Sequence, residues 1–408
     1  MLSSFAERRP ERAAAWAVWL FGIGETIIWA GLFYVFAAML LTWETTLGWD
    51  KTELTLGLTV AILVAAAVSP LSGRLIDAGY GRWTLGLGAL WGAAALACLA
   101  FVETPLMFVV FWAAIGVANG AAMYEPCFSV VTRARGAAAR PAITKITLVA
   151  GFASTVSFLS AAALMEHLGW RGAMLAFAAV VAFIGAPMLY AATVLIEATN
   201  PDPAPPAPKA ANKAALRAAL RKPQFWLIAI AFPMMALNHG ILLNHIMPLM
   251  AERGIAASTG LLVASTIGPM QVAGRVVLML LEKRINSLAM AAVAFGGVTL
   301  ASVILLLAGA SPTMAFAFAI MQGGTYGLTS ILKPAITAEF LGRTGFGAIA
   351  GWLALPYLAA FAFAPHLGAL IWSAGGYDLV VPATLVLGAT GAACVAILAI
   401  FGGKPSAT

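Results

Sequence analysis

The sequence predicts an all-α membrane protein of twelve transmembrane helices in two pseudo-symmetric six-helix bundles, and three observations predict it. Its 408 residues are 62% hydrophobic and only 10% charged, with a mean hydropathy of +0.95; a water-soluble fold does not need so much apolar surface. Charges, Gly/Pro turns and polar clusters mark off twelve apolar segments, each long enough to cross about 30 Å of hydrocarbon as a helix. A single long polar stretch, Asn200 to Pro223, divides them six and six.

In chain order, a short N-terminal tail, 1–14, carries Arg8, Arg9 and Arg12. The apolar run after it outlasts a signal peptide and lacks a convincing cleavage site, so it is read as the first span, near 15–42. Spans near 54–75, 84–102, 105–132, 142–165 and 173–197 complete the first bundle, 15–197. The linker, 198–223, opens with the proline-rich Pro201 to Pro208, which favours an extended polyproline spacer. It then places Lys209, Lys213, Arg217 and Arg221 four residues apart, on one face of a short Ala/Leu helix. Such a helix suits an anionic membrane surface, or equally a solvated linker. The second bundle, 224–401, holds spans near 224–250, 259–281, 288–309, 312–338, 346–370 and 378–401, and a tail, 402–408, follows.

With the N-terminus inside, and Arg74 and Lys145 counted at the cytoplasmic lips of their spans, 18 of the 23 Lys and Arg residues fall on the cytoplasmic side, only Lys51, Arg171 and Arg253 fall outside, and Arg275 and Lys333 lie within spans. This asymmetry accounts for the net charge of +7 without a nucleic-acid partner. It also predicts both termini cytoplasmic. The halves echo each other. An offset of 208 lays Gly116 on Gly324, Glu125-Pro126 on Lys333-Pro334 and Arg135 on Arg343; an offset of 207 lays Gly169-Trp170-Arg171 on Gly376-Tyr377-Asp378. Two parallel repeats joined by a cytoplasmic linker place a substrate site near mid-membrane between the halves. Cys98, Cys127 and Cys394 all fall in apolar runs and read as small buried hydrophobes, not as a disulfide or metal framework.

Between spans 2 and 3 the chain reads GRLIDAGYGRW, in which Gly73, Asp77, Gly81 and Arg82 form a charged, glycine-permitted turn suited to a cytoplasmic gate. This resembles the loop signature of the major facilitator superfamily, with an extra residue around Tyr80 and Trp83 in place of a second basic residue. Leu47 to Asp77 resembles the monocarboxylate transporters and the oxalate/formate antiporter relatives. GRVVLMLLEKR, Gly274 to Arg284, is similar to their eighth-span segment, whose arginine holds a substrate carboxylate; Arg275 matches it, although Met279 replaces a glycine and the acidic residue shifts to Glu282. The resemblance implies a monomeric secondary transporter of a bacterial inner membrane. Drug-antiporter signatures in spans 4 and 5 are missing, and where the monocarboxylate pattern has a lysine in span 1 this chain has Glu25.

Four charges lie well within spans, Glu25, Glu125, Arg275 and Lys333, and each costs at least about 2.5–3.5 kcal/mol near mid-bilayer unless it has a partner or a task. Arg275 suits a carboxylate because its planar fork never titrates; the alternative is an ion pair with Glu25 or Glu125. Lys333 is a second cationic contact or a partner for Glu125. Glu25 and Glu125 are candidate proton carriers, with pairing or gating beside Pro126 as the alternative for Glu125. In span 7, Asn238 and His239 adjoin Gly240, where a helix break is expected to open backbone groups to a cavity. His239 is a candidate for the coupled proton or a carboxylate contact, or a satisfied buried histidine; His245 is read as interfacial. Tyr124, Gln271, Gln322 and Tyr326 are further candidate cavity groups, with Asn119 and Thr147 weaker, and Trp29, Phe33 and Phe36 wall a pocket or simply pack. No Cys or carboxylate stands at ligand spacing from the two histidines, and no phosphate-binding or catalytic pattern appears. The sequence therefore predicts neither a metal, nor a cofactor, nor an enzyme. It predicts a carrier of a small organic anion, driven by a proton or by a counter-substrate, or else an exporter of a neutral or cationic compound.

Overall fold

A computed structural model describes residues 10–135, 139–199, 209–281, 285–342 and 346–401, all helix and connecting turns with no strand among them. The chain divides into two compact units, Met1–Pro205 and Pro206–Thr408. In the first, α1 is Pro10–Leu47, α2 Lys51–Asp77, α3 Gly81–Leu99, α4 Pro105–Arg135, and α5 and α6 cover 139–168 and 170–197. In the second, α7 is Pro223–Glu252, α8 Ala257–Leu281, α9 Ser287–Leu307, α10 covers 312–341, and α11 and α12 cover 346–374 and 377–401.

Local chemistry starts and stops these helices. Asp50 and Glu53 form a reciprocal capping box at α2, in which Asp50 accepts from Thr52 N at 2.7 Å. Thr104 followed by Pro105 opens α4, and Ser311 followed by Pro312 opens α10. Helical stretches such as Pro141–Glu197, 57 residues, are too long for one crossing, since at about 1.5 Å per residue a single span needs only about 20. The backbone itself makes the division: Gly169 (φ 65°) splits α5 from α6, and Gly376 (φ 63°) splits α11 from α12. These two glycines are the pair that the 207 offset superposes, and the aromatic residue after each, Trp170 and Tyr377, is buried.

Glycines also set the packing. A Cβ at Gly116 or Gly120 of α4 would meet the backbone oxygens of Ala61 and Ala65 of α2 well under 3.0 Å, and one at Gly323 or Gly327 of α10 would meet those of Ile267 and Gln271 of α8. Backbones therefore touch along matching seams in the two units, as small residues allow in membranes. The seams fix the register of the repeat. Gly116 superposes on Gly323, at 207, and only beyond the seam does 208 bring Glu125-Pro126 onto Lys333-Pro334; α10 carries one residue more than α4 between seam and proline.

Two expectations change here. Cys98 is exposed on α3 while Cys127 and Cys394 are buried, because Cys98 lies on the outward face of its helix. N-ethylmaleimide is expected to modify one thiol of the folded protein and three after unfolding, as counted by intact mass. Gly240 breaks nothing: α7 is continuous, and a Cβ there would stand 2.6 Å from Ala364 Cβ, so the glycine serves close approach to α11. The linker helix, Lys209–Leu220, forms as expected, and its Leu216, Ala219 and Leu220 pack on the second unit's core with Phe225, Leu341 and Leu398. Arg217 and Arg221 are exposed; the side chains of Lys209 and Lys213 lie outside the described residues.

Candidate functional site

The second unit gathers most of the predicted polar residues. Asn238 of α7, fully buried, donates to Ser302 Oγ at 2.9 Å and Thr384 O at 2.8 Å, and its Oδ1 accepts from Gln322 Nε2 at 3.0 Å. Predicted as a ligand contact, it instead ties α7 to α9, α10 and α12. The same Gln322 amide lies 3.4 Å from His239 Nδ1. His239 stacks on Tyr326, with ring centroids 3.4 Å apart and 9° between planes, and the Tyr326 hydroxyl meets that of Tyr357 at 3.1 Å. Lys333 Nζ sits 4.0 Å over the Tyr357 ring. A continuous line of polar and aromatic groups thus runs from Asn238 to Lys333. Tyr357 is the member that sequence reasoning missed, because a lone tyrosine in span 11 has no pattern to mark it.

Arg275 and Gln271 share a face of α8, one turn apart, and both are nearly buried. Arg275 Nε donates to Gly327 O at 3.0 Å. Among the described residues the Gln271 amide nitrogen is buried with no hydrogen-bond partner, as is Gln322 Oε1. Such groups are rare in native proteins; the Gln271 donor is matched by an acceptor oxygen, whereas the Gln322 oxygen needs a donor.

In the first unit, Glu25 is completely buried and neither carboxyl oxygen has a partner at hydrogen-bond geometry. Cys127 and Trp29 adjoin it, and Glu125 is close enough to act on it electrostatically. Trp29 also packs on Tyr124 at 4.8 Å and Phe33 at 5.2 Å, and Tyr124 stacks on Phe128 at 4.9 Å. The sequence could not show why α1 presents this cluster. A π-turn, Ala30–Tyr34, shifts the hydrogen-bond ladder, and neighbouring helices complete it: Ser157 Oγ donates to Ala30 O at 2.9 Å and Asn119 Nδ2 to Leu32 O at 3.4 Å. Asn119 is therefore a backbone cap, Thr147 bonds Thr144 O, and Phe36 packs among Trp43 and Trp112, away from Trp29. Glu125 is exposed.

His245, read as interfacial, is buried between α7, α11 and α12 beside the α11–α12 turn, 3.0 Å from the Tyr377 hydroxyl and 2.9 Å from Pro365 O. At the predicted gate, Gly79 takes the left-handed turn (φ 89°), and a Cβ at Gly81 would stand 2.6 Å from Glu197 Oε1. Arg82 is exposed and nothing crowds Gly73; the Asp77 side chain lies outside the described residues. Two residues that the motif alone does not mark lie beside this turn. Arg133 Nη1 caps Ile76 O at 2.7 Å, the end of α2, and Glu197 lies within the field of Arg133 and Arg82.

The sequence matches the Major Facilitator Superfamily over residues 15–365. Among curated proteins none matches it. Among solved structures it resembles a bacterial homolog of the human lysosomal transporter Spinster, in an inward-facing, unoccupied conformation, with a TM-score of 0.66 over 95% of each chain. At 15% identity that likeness shows the fold alone.

Proposed function

We propose, from the premise that this chain belongs to the major facilitator superfamily, that it carries a small organic anion, of the monocarboxylate kind, with Arg275 as the group that holds it. As a member of that superfamily it is a multi-pass membrane protein and a secondary transporter working by alternating access, not an enzyme. The observation that supports the anion is the donor pair on α8: a nearly buried guanidinium beside a buried Gln271 amide nitrogen with no acceptor. Donors of this kind select an oxyanion and leave a cation without a counter-group. Lys333 and the Tyr326–Tyr357 pair offer further donors along the same unit. Glu25 carries the coupling proton in this reading. Its carboxyl is buried beside the Cys127 thiol and the Trp29 indole, and alternating access moves it between that setting and a more open one, which is what a proton carrier needs. The chain acts as a monomer in a bacterial inner membrane, with both termini cytoplasmic.

Thermal unfolding in detergent tests this. Acetate, lactate, oxalate and succinate are set against organic cations such as tetraphenylphosphonium, for the native sequence and Arg275→Gln. A ligand of the folded state at a hundredfold excess over Kd adds about 2.7 kcal/mol and raises the midpoint. A carboxylate is expected to stabilise the native protein and not the variant. Glu25→Gln is expected to keep that stabilisation while uptake into proteoliposomes stops responding to a pH gradient.

A second reading rests on the aromatic wall of Trp29, Tyr124 and Phe128 beside Glu25, which suits efflux of a cationic or neutral apolar compound. It predicts that only cations stabilise, and that Glu25→Gln abolishes their effect.

A further inference from the structure

α10 is interrupted at Gly327 and Leu328, yet both residues keep right-handed dihedrals, φ/ψ −54°/−24° and −71°/−23°. The hydrogen-bond ladder fails there without a bend. Ile331 N bonds Leu328 O at 3.1 Å, three residues back, and Leu332 N bonds the same oxygen at 2.9 Å. In a regular helix Ile331 would bond Gly327 O. That carbonyl instead receives Arg275 Nε at 3.0 Å, with Ser330 Oγ at 3.4 Å. The equivalent helix of the first unit is interrupted too, at Met123 (φ −86°, ψ −164°), where one residue fewer separates Gly120 from Pro126 than separates Gly327 from Pro334.

The two sides of the fault are tied differently. On the α8 side the seam holds Gly327 against Gln271, so the segment up to Tyr326 is fixed, with Tyr326 stacked on His239. Beyond the fault, Lys333 rests on Tyr357, which bonds back to Tyr326. A three-residue ladder rises about 2.0 Å per residue and a four-residue ladder about 1.5 Å. Exchanging one for the other at Ile331 therefore turns and shortens the path from Tyr326 to Lys333.

We propose that Arg275 is a ligand-sensitive cap: an anion that engages its guanidinium draws Nε from the Gly327 carbonyl, Ile331 N–H takes that carbonyl back, and α10 rewinds, carrying Lys333 relative to Tyr326. The inference rests on Arg275 being the anion-binding group and adds how its occupancy reaches α10. Once Nε leaves, the Gly327 carbonyl keeps only the long Ser330 Oγ contact at 3.4 Å, and Ile331 N–H is the closer donor that helix geometry supplies. Arg275 is then a positioning residue as well as an anion contact, and the fault is the bistable element that binding biases.

The test uses the full-length protein with acetate, lactate and oxalate as probe anions. Hydrogen exchange of peptides covering 326–334 is measured with and without the anion that most raises the unfolding midpoint; slower exchange in its presence is expected, because the four-residue ladder protects better. Ile331→Pro removes the N–H that rewinding needs, together with its present bond to Leu328 O, an oxygen that Leu332 N still caps at 2.9 Å. Ile331→Ala keeps the N–H and controls for the lost side chain. Both are expected to keep the anion-induced midpoint shift, with transport by the proline variant about tenfold or more below the alanine variant. Equal transport by the two variants, or unchanged exchange at saturating anion, overturns the cap while leaving Arg275 as the anion site. If Ile331→Pro does not fold, the exchange experiment on the native sequence decides. If no probe anion moves the native midpoint, the anion reading itself fails.

Discussion

Gly274→Ala is expected to lower the unfolding midpoint and the yield of folded protein sharply. A Cβ at Gly274 falls on Gly324 O, with Gly324 C at 2.8 Å and Cα at 3.1 Å, so all three obstacles are backbone and none can swing aside as a side chain does. α8 and α10 must separate along the whole seam, which also holds Gly323 on Ile267 and Gly327 on Gln271. Overpacking a core side chain costs about 1–3 kcal/mol, and a rigid clash of two helix backbones lies at or above the top of that range, against a margin of about 5–15 kcal/mol. The monodisperse fraction after detergent extraction measures it. Gly296→Ala on α9 is the control: nothing lies within 4 Å of its Cβ, and alanine is better than glycine in a helix by about 1 kcal/mol. That variant is expected to extract as well as the native protein or better.

Arg275→Gln is expected to fold, to lose all anion-dependent stabilisation, and to transport at about a hundredfold below the native rate or less, since a misplaced contact alone costs that much. Two effects combine. The charge that matches a carboxylate is gone, and the Gly327 carbonyl loses the donor at 3.0 Å that completes the α10 fault. Leaving such an acceptor without a donor costs about 1–3 kcal/mol, so the unliganded midpoint also falls, although a glutamine amide recovers part of it. Arg275→Lys separates the two: charge remains but the fork is lost, so stabilisation by anions weakens without vanishing. Midpoints with and without anion for all three proteins measure both effects.

Much of this was legible in the sequence, for physical reasons. Membrane spans announce themselves through composition, because hydrocarbon tolerates no exposed polar backbone, and the described residues are helical along the apolar segments. Gly169 and Gly376 were legible as a repeat pair and prove to share one left-handed turn. Arg275, Gln271, His239, Gln322, Tyr326 and Lys333 were legible because a polar group in an apolar span needs a reason to be there. What the sequence hid depends on which way a side chain faces. Asn238 looked like a ligand contact and is a three-way tie between helices; Cys98 looked buried and faces outward. A helix whose every face is apolar carries no moment from which to read its orientation. Gly240 misled for a related reason, since a glycine that breaks a helix and one that admits a neighbour look alike until Ala364 is seen against it. The π-turn at Ala30–Tyr34 and the fault at Gly327 leave no composition signal; only a slip from 207 to 208 in the internal repeat marks the second.

The central claim is that this superfamily member moves a small organic anion held by Arg275, and counterflow in proteoliposomes tests it most directly. Vesicles loaded with unlabelled carboxylate are diluted into a trace of the same radiolabelled anion, so that a carrier transiently concentrates label inside without any other driving force. Transient accumulation of a carboxylate by the native protein, absent for Arg275→Gln, is the result predicted. No counterflow of any carboxylate, together with counterflow of an organic cation that Arg275→Gln leaves intact and Glu25→Gln removes, would contradict it and assign the transport site to the Glu25 cluster.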